Sequence, residues 1–174
     1  MEKNYFYSNE IAEHIKSLLD ENLPKDAAKN ITVGDFSVLP DPDTYHEYLP
    51  AVIISTNEMT VTSANLNRRI FHTPYNYTIY YLTPYTFERD SDAVTEAKTN
   101  AEAIANILIS DHTLDQFEIY PAYDEAGGQA ITSELSRIRY DSAEQAFFRE
   151  LRLAVSVASI DFTVDFRTFA KEAI

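Results

Sequence analysis

Four histidines are the first side chains to consider for metal binding or acid–base chemistry. They are His14, His46, His72 and His112. No two of them stand at the spacing of a metal-ligand pair, and none has a carboxylate partner in a known motif. We therefore expect each histidine to be structural or exposed to solvent, with His14 at the edge of an apolar helical face.

Two acidic clusters are candidates for binding a hard cation. Asp41, Asp43 and Glu47 lie close together, but they lack the glycine and the closing glutamate spacing of a calcium loop. The cluster at 88–92 precedes a predicted helix, where carboxylates stabilise the positive end of the helix dipole. We expect both clusters to be solvated and to bind no metal.

Nucleophilic and phosphate-binding motifs are missing from the sequence. It has no cysteine and three glycines, and it contains no serine nucleophile elbow, Walker loop or dinucleotide fingerprint. The pair Gly127-Gly128 is typical of a turn. These observations argue against an enzyme and indicate no cofactor.

The charge balance restricts the partners of the chain. Its 174 residues carry 28 acidic and 14 basic side chains, a net charge of −14. Direct binding to nucleic acid needs a basic face that displaces counterions, so this balance argues against it. The acidic surface indicates a soluble protein, or one that lies near DNA without binding it. The polar segment 1–7 lacks the apolar core of a secretory leader, and no stretch is long enough to cross a bilayer.

Apolar periodicity predicts two principal helices. The first spans 8–21 with Ser8 as its N-cap, and the second spans 91–110 with an alanine-rich apolar stripe. A proline-rich loop is expected at 40–50.

Strand patterns occur in groups between these helices. We predict a short strand at 31–33, a buried strand at 51–56, a long hairpin with arms at 59–66 and 71–82, and later strands at 117–123, 131–140 and 147–166. The last run changes parity, which predicts a bulge or bend at Ala158-Ser159. Residues after about Thr168 are expected to fray. The fold class is α+β in a single domain, 1–174, with a mainly antiparallel β-sheet, two principal helices packed on one face and a long β-hairpin.

The aromatic stripe of the 71–82 strand has two interpretations. The stripe either packs under the helices, which we favour, or forms a partly exposed surface that pairs with a neighbouring subunit; it consists of Phe71, Tyr75, Tyr77 and Tyr81. Arg68 and Arg69 at the hairpin tip extend this candidate subunit interface. Further arginines on later strands are candidates for bridges to acidic surfaces of adjacent copies; they are Arg137, Arg139, Arg149 and Arg152.

The order of the elements resembles that of a known family. The helix EIAEHIKSLLDENLP is followed by the strand LPAVIIST, the aromatic strand YNYTIYYL, the helix EAKTNAEAIANIL, and the closing strands ITSELSRIRY and LRLAVSVASIDF. This series is similar to the tail terminator (tail completion) proteins of tailed bacteriophages and to related minor neck and tail proteins.

The resemblance implies a virion structural protein, assembled in the host cytoplasm, that forms a homo-oligomeric ring, usually a hexamer. The ring would cap the tail tube, contact the tail tube protein and the head-neck connector proteins, and let DNA pass without specific binding. Two alternatives remain at this point. One is a head-completion or neck connector protein, and the other is a small-ligand or peptide-binding α+β module.

Overall fold

The computed structural model describes residues 5–39, 43–61, 63–65, 70–84, 90–110, 114, 116–121, 126–140 and 155–170. Its elements in chain order are α1 (Ser8–Asn22), β1 (Asn30–Val33), a 3-10 helix (Phe36–Val38), α2 (Tyr45–Tyr48), β2 (Ala51–Met59), β3 (Ser63–Asn65), β4 (Ile70–Pro84), α3 (Asp90–Ser110), β5 (Glu118–Ile119), β6 (Ala126–Arg139) and β7 (Val155–Ala170).

The strands form one sheet in the order β1-β2-β4-β7-β6-β5, and β3 pairs with the first residues of β4. Only β1 and β2 run parallel among the described strands; the other pairs are antiparallel. The predicted α+β class with a mainly antiparallel sheet is therefore confirmed. The hairpin prediction is partly wrong, because β2 continues to Met59 and pairs with β4 through a bulge after Thr56, leaving the three residues of β3 as a separate strand.

Both principal helices pack on the same face of the sheet. α1 buries Ile11, Ile15 and Leu19 there, and α3 buries Ala101 and Ile104. Both predicted helices are confirmed, with bounds within one residue of those expected. The N-cap prediction is wrong: Ser8 is the first helical residue and Tyr7 precedes the helix without a side-chain capping bond.

A second, smaller apolar cluster covers one end of the opposite face. It contains Tyr45 and Leu49 from the segment before β2, packed on Ile53 and Val157. Tyr45 is buried on the first turn of α2, a short helix at 45–48 where the sequence predicted only a loop. The rest of the prediction at 40–42 lies outside the described residues.

The second cluster also explains the change of parity in β7. The pairing of β7 with β4 runs without a shift from Val155 to Thr168, so β7 has no bulge at Ala158-Ser159 against β4, and the bulge of the predicted bulge or bend is wrong. Residues 155–160 are all buried because helices cover one face and the second cluster covers the other. β7 reaches Ala170, so the predicted fraying does not begin at 168; the predicted strand residues 147–154 lie outside the described residues.

Gly127 and Gly128 lie inside β6, and the predicted turn is wrong. A Cβ on Gly128 would overlap the Phe166 ring, with Cζ 2.7 Å away, and a Cβ on Gly127 would lie 2.6 Å from the Ile119 carbonyl oxygen. The glycines therefore permit a close approach of strands and side chains. The strand predicted at 117–123 is shorter, at Glu118–Ile119.

Candidate interaction surface

The tyrosines of the aromatic stripe attach α1 to the sheet. Tyr75 and Tyr77 are 0% and 1% exposed. The Tyr75 hydroxyl accepts from the Tyr7 backbone N–H at 3.1 Å, and the Tyr77 hydroxyl donates to the Ser8 carbonyl at 2.9 Å. Buried in this way, they have no surface to offer a neighbouring subunit, so the interface assignment fails for these two residues and the packed interpretation holds.

Burial also sets the protonation of these phenols. It is the main cause that raises the pKa of Tyr77, and the neighbouring Tyr75 and Glu10 add to it. Burial likewise raises the pKa of Tyr75 and of Tyr81, with Glu96 as a second cause at Tyr81. These phenols stay neutral, and their hydroxyls form hydrogen bonds that hold the N-terminal segment and the sheet together.

Phe71 lies at the other end of the stripe and is half-buried. Its ring meets Tyr5 edge-on at 5.6 Å and lies 6.3 Å from Phe6, which is 42% exposed. Phe71 therefore belongs to a partly exposed aromatic group at the end of the sheet. Arg68 and Arg69, the other predicted interface residues, lie outside the described residues.

Two predicted arginines converge on one carboxylate of β7. Arg139 Nη2 donates to Asp161 Oδ1 at 3.1 Å, and Arg137 Nε lies 4.0 Å from Oδ2. The Thr78 hydroxyl donates to the same Oδ1 at 3.0 Å. Asp161 thus joins β4, β7 and β6 on the face opposite the helices, and the Arg137 side chain remains 66% exposed.

The strand register extends this cluster into an open polar surface, which we call the open sheet face. Alternate residues of β7 point away from the helices and are half-buried, whereas those between them are buried. One row further along the strands, the Thr163 hydroxyl donates to the Asn76 side-chain oxygen at 2.8 Å. The members with described side chains are Glu58, His72, Asn76, Thr78, Gln129, Thr132, Glu134, Arg137, Arg139, Asp161, Thr163, Asp165 and Arg167.

Two bulges in β6 bring its polar side chains onto this surface. The register shifts between Ala130 and Thr132 and again between Leu135 and Arg137, so that Arg137 stands opposite Asp161. The sequence could not show this pairing, since the two residues are far apart in the chain. The alternation DFTVDFR at 161–167 was a signal for a polar face that the periodicity argument did not use.

Three side-chain atoms of charged residues on the open sheet face are buried without a hydrogen bond. Asp165 Oδ1, Arg139 Nε and Arg167 Nε are buried atoms that make no hydrogen bond. Buried polar atoms of this kind are rare, because each carries a desolvation cost. The desolvation cost of these three atoms is therefore not offset by a hydrogen bond within the chain.

The described residues contain no group of three metal-ligating side chains. His14 stacks on Phe117 with ring centroids 4.1 Å apart, and His46 lies against Tyr45 at 3.9 Å. Asp43 and Glu47 are exposed, and Asp41 and His112 lie outside the described residues. The histidines that can be placed thus make aromatic contacts or, at His72, lie half-buried on the sheet.

Two clefts bear on the ligand-binding alternative. One of about 250 Å³ is lined in part by Lys29, His46 and Glu96, and one of about 240 Å³ lies beside the end of α1. Sites for drug-sized ligands commonly enclose about 300–1,000 Å³. Both clefts are smaller than this range and partly open, so they give that alternative little support.

Comparison of the chain with protein-family models gives no match, and comparison with curated proteins gives none either. Within the described residues, no helix has the length and apolar character needed to cross a membrane.

Proposed function

We propose that this chain is a virion structural protein of a tailed bacteriophage, a tail terminator whose copies form a ring that caps the tail tube and joins it to the neck. The observation that carries the proposal is the open sheet face, where Asp161 holds Arg137 and Arg139 on a broad surface that the helices leave uncovered. The order of the elements, which resembles that family, supports the same function.

The shape of this surface suits a contact between large partners. β4 and β7 have 15 and 16 residues and pair along most of their lengths. At about 3.3 Å per residue, the paired strands extend roughly 50 Å. The second apolar cluster covers one end of this face, so the polar rows from Asp161 to Arg167 extend over roughly 20 Å of that length. This polar surface is fixed by hydrogen bonds between side chains on neighbouring strands, so it is preorganised for binding and needs little ordering when a partner arrives.

The charge of the chain is consistent with a passage for DNA. A net charge of −14 repels phosphates, so a ring of such subunits would let a genome pass without retaining it. The same charge disfavours uncontrolled association between copies.

The test uses purified tail tubes of the matching phage. The chain is mixed with tubes and examined by light scattering and by electron microscopy with a label on this protein. We expect a ring at the tube tip and arrest of tube elongation. Glu47→Lys is the matched control and should behave as the native chain: it is an exposed change on α2, which covers the other end of the same side of the sheet but contributes no residue to the open sheet face.

Three results separate the alternatives. Label at the portal side of the neck, with bare tube tips, would favour the head-completion protein. Saturable binding of a small ligand or peptide by a monomer would favour the ligand-binding module. A chain that stays monomeric and unbound with tubes present would refute the terminator.

A further inference from the structure

Among the side chains that the structure describes, arginine and lysine occupy different parts of the molecule. The three arginines with described side chains, Arg137, Arg139 and Arg167, all lie on the open sheet face. The described lysines lie on the two long helices or in the segment between α1 and β1; they are Lys16, Lys25, Lys29 and Lys98. Guanidinium groups bind carboxylates through two parallel hydrogen bonds, so the open sheet face holds the groups best suited to recognise acids.

The helix layer, formed by α1 and α3, has no described arginine and is rich in carboxylates. Its described side chains include seven carboxylates and two lysines, a net charge of −5. The open sheet face carries three arginines and four carboxylates, a net charge of −1. In a chain of net charge −14, the open sheet face is thus the surface where a second acidic copy meets little repulsion.

One corner of the open sheet face is locally positive. Asp161 is the only carboxylate among the described residues that pairs with Arg137 or Arg139, so one positive charge remains there. Arg137 is 66% exposed and its contact with Asp161 is long, at 4.0 Å. Its guanidinium is therefore available to an incoming carboxylate.

Exposed carboxylates form a stripe along α1. Glu10, Glu13 and Glu21 are exposed, and at 100° per residue they fall on one side of the helix. On α3, Glu96 and Glu102 already accept bonds from the Tyr81 and Tyr140 hydroxyls. The stripe of three glutamates on α1, which we call the α1 acidic stripe, is thus the better partner for a guanidinium.

From these charges we infer that copies associate head to tail, with the open sheet face of one copy bound to the α1 acidic stripe of the next. Arg137 and Arg139 are the residues that receive the glutamates. Because the two surfaces differ, the contact is heterologous and repeats into a ring when its rotation closes. The inference rests on the proposed function and adds which two surfaces of the subunits meet.

Charge exchange tests this pairing in the full chain. The sheet variant is Arg137→Glu, and the helix variant combines Glu10→Lys with Glu13→Lys. All three side chains are exposed to solvent. Each variant alone should self-associate at least about tenfold more weakly than the native chain, in solution or on tail tubes, because like charges then face each other. A 1:1 mixture should recover assembly, because copies of the two variants that alternate along the assembly place opposite charges at every contact.

The controls are Lys29→Glu and Glu47→Lys, exposed reversals outside both surfaces, and circular dichroism confirms that every variant is folded. If the helix variant self-associates like the native chain and the sheet variant does not, α1 is not the partner of the open sheet face, and the inference is overturned. Native-like assembly by both variants would overturn the pairing of these two surfaces without contradicting the proposed ring. Failure of the mixture to recover assembly would do the same. A native chain that never assembles, even on tubes, would refute the proposed function as well.

Discussion

Replacing Gly128 with alanine tests the close contact between β6 and the core. The new Cβ would lie 2.7 Å from Phe166 Cζ and 2.9 Å from the Arg167 carbonyl oxygen. The Phe166 ring is fully buried and packs against Tyr7 at 5.7 Å and Phe117 at 6.4 Å, so it has little room to move. The substitution therefore overpacks the core without changing its polarity.

The expected loss follows from two opposing terms. Overpacking a close-packed core costs about 1–3 kcal/mol. Gly128 does not have a positive φ, so alanine adopts its backbone conformation and recovers about 0.4–1 kcal/mol through the lower entropy of the unfolded chain. The difference between these terms is a net loss in the free energy of unfolding of about 0–2.6 kcal/mol. Because the buried Phe166 ring has little room to move, we expect the upper part of this range, about 1–2.6 kcal/mol, or roughly 2–10 °C in Tm for a chain of this size.

Urea unfolding followed by circular dichroism measures this loss, and a double-mutant cycle identifies its cause. In a Phe166→Leu background, where the ring is absent, Gly128→Ala should cost at least about 1 kcal/mol less. Gly127→Ala is the matched control, because its Cβ would meet the Ile119 carbonyl oxygen at 2.6 Å, a backbone atom that Phe166→Leu does not move.

A Gly128→Ala variant as stable as the native chain would refute the packing argument. Equal costs in the two backgrounds would also refute it, because the Phe166 ring would then not be the group that resists the methyl.

Two further predictions concern the ion pair between Asp161 and Arg139 in the sheet and the hydrogen bond between Tyr77 and Ser8 of α1. Asp161→Asn should lower the free energy of unfolding by about 1–2 kcal/mol, since Arg139 loses a charged acceptor, whereas Asp43→Asn at an exposed site should change it by less than about 0.5 kcal/mol in the same urea titration. The raised pKa of Tyr77 means that the unfolded state releases this proton first, so stability is complete below the ordinary tyrosine pKa of 10.0 and is lost as pH rises above it. Tyr77→Phe should therefore reduce the alkaline loss while costing about 1 kcal/mol at neutral pH through the lost bond to Ser8; equal alkaline loss in both proteins would contradict this assignment.

Local periodicity was enough to find the elements with one buried side. α1 and α3 repeat apolar residues at helical spacing, and β4 alternates along its length, so both helices and this strand could be predicted close to their observed bounds. The same reasoning predicted Tyr75 and Tyr77 under the helices as the favoured interpretation.

Periodicity failed where both faces of the sheet are covered or where a distant residue decides the local structure. In β7, burial on both faces at 155–160 removed the alternation and suggested a bulge that the pairing with β4 does not contain. The pair Gly127-Gly128 is typical of a turn, but here it lies within a strand. Without a side chain, Gly128 lets this strand pass close to Phe166, a residue nearly forty positions away in the chain.

The sequence by itself determined the acidic charge, the absence of thiol chemistry, the α+β class and the apolar side of each long element, because these depend on composition and on neighbours within a few residues. Only the tertiary structure decided which polar side chains share a surface. Strand order places β7 between β4 and β6, and two bulges in β6 set Arg137 opposite Asp161. A strand's own pattern specifies which of its sides is polar, but its partner and register depend on packing across the whole sheet.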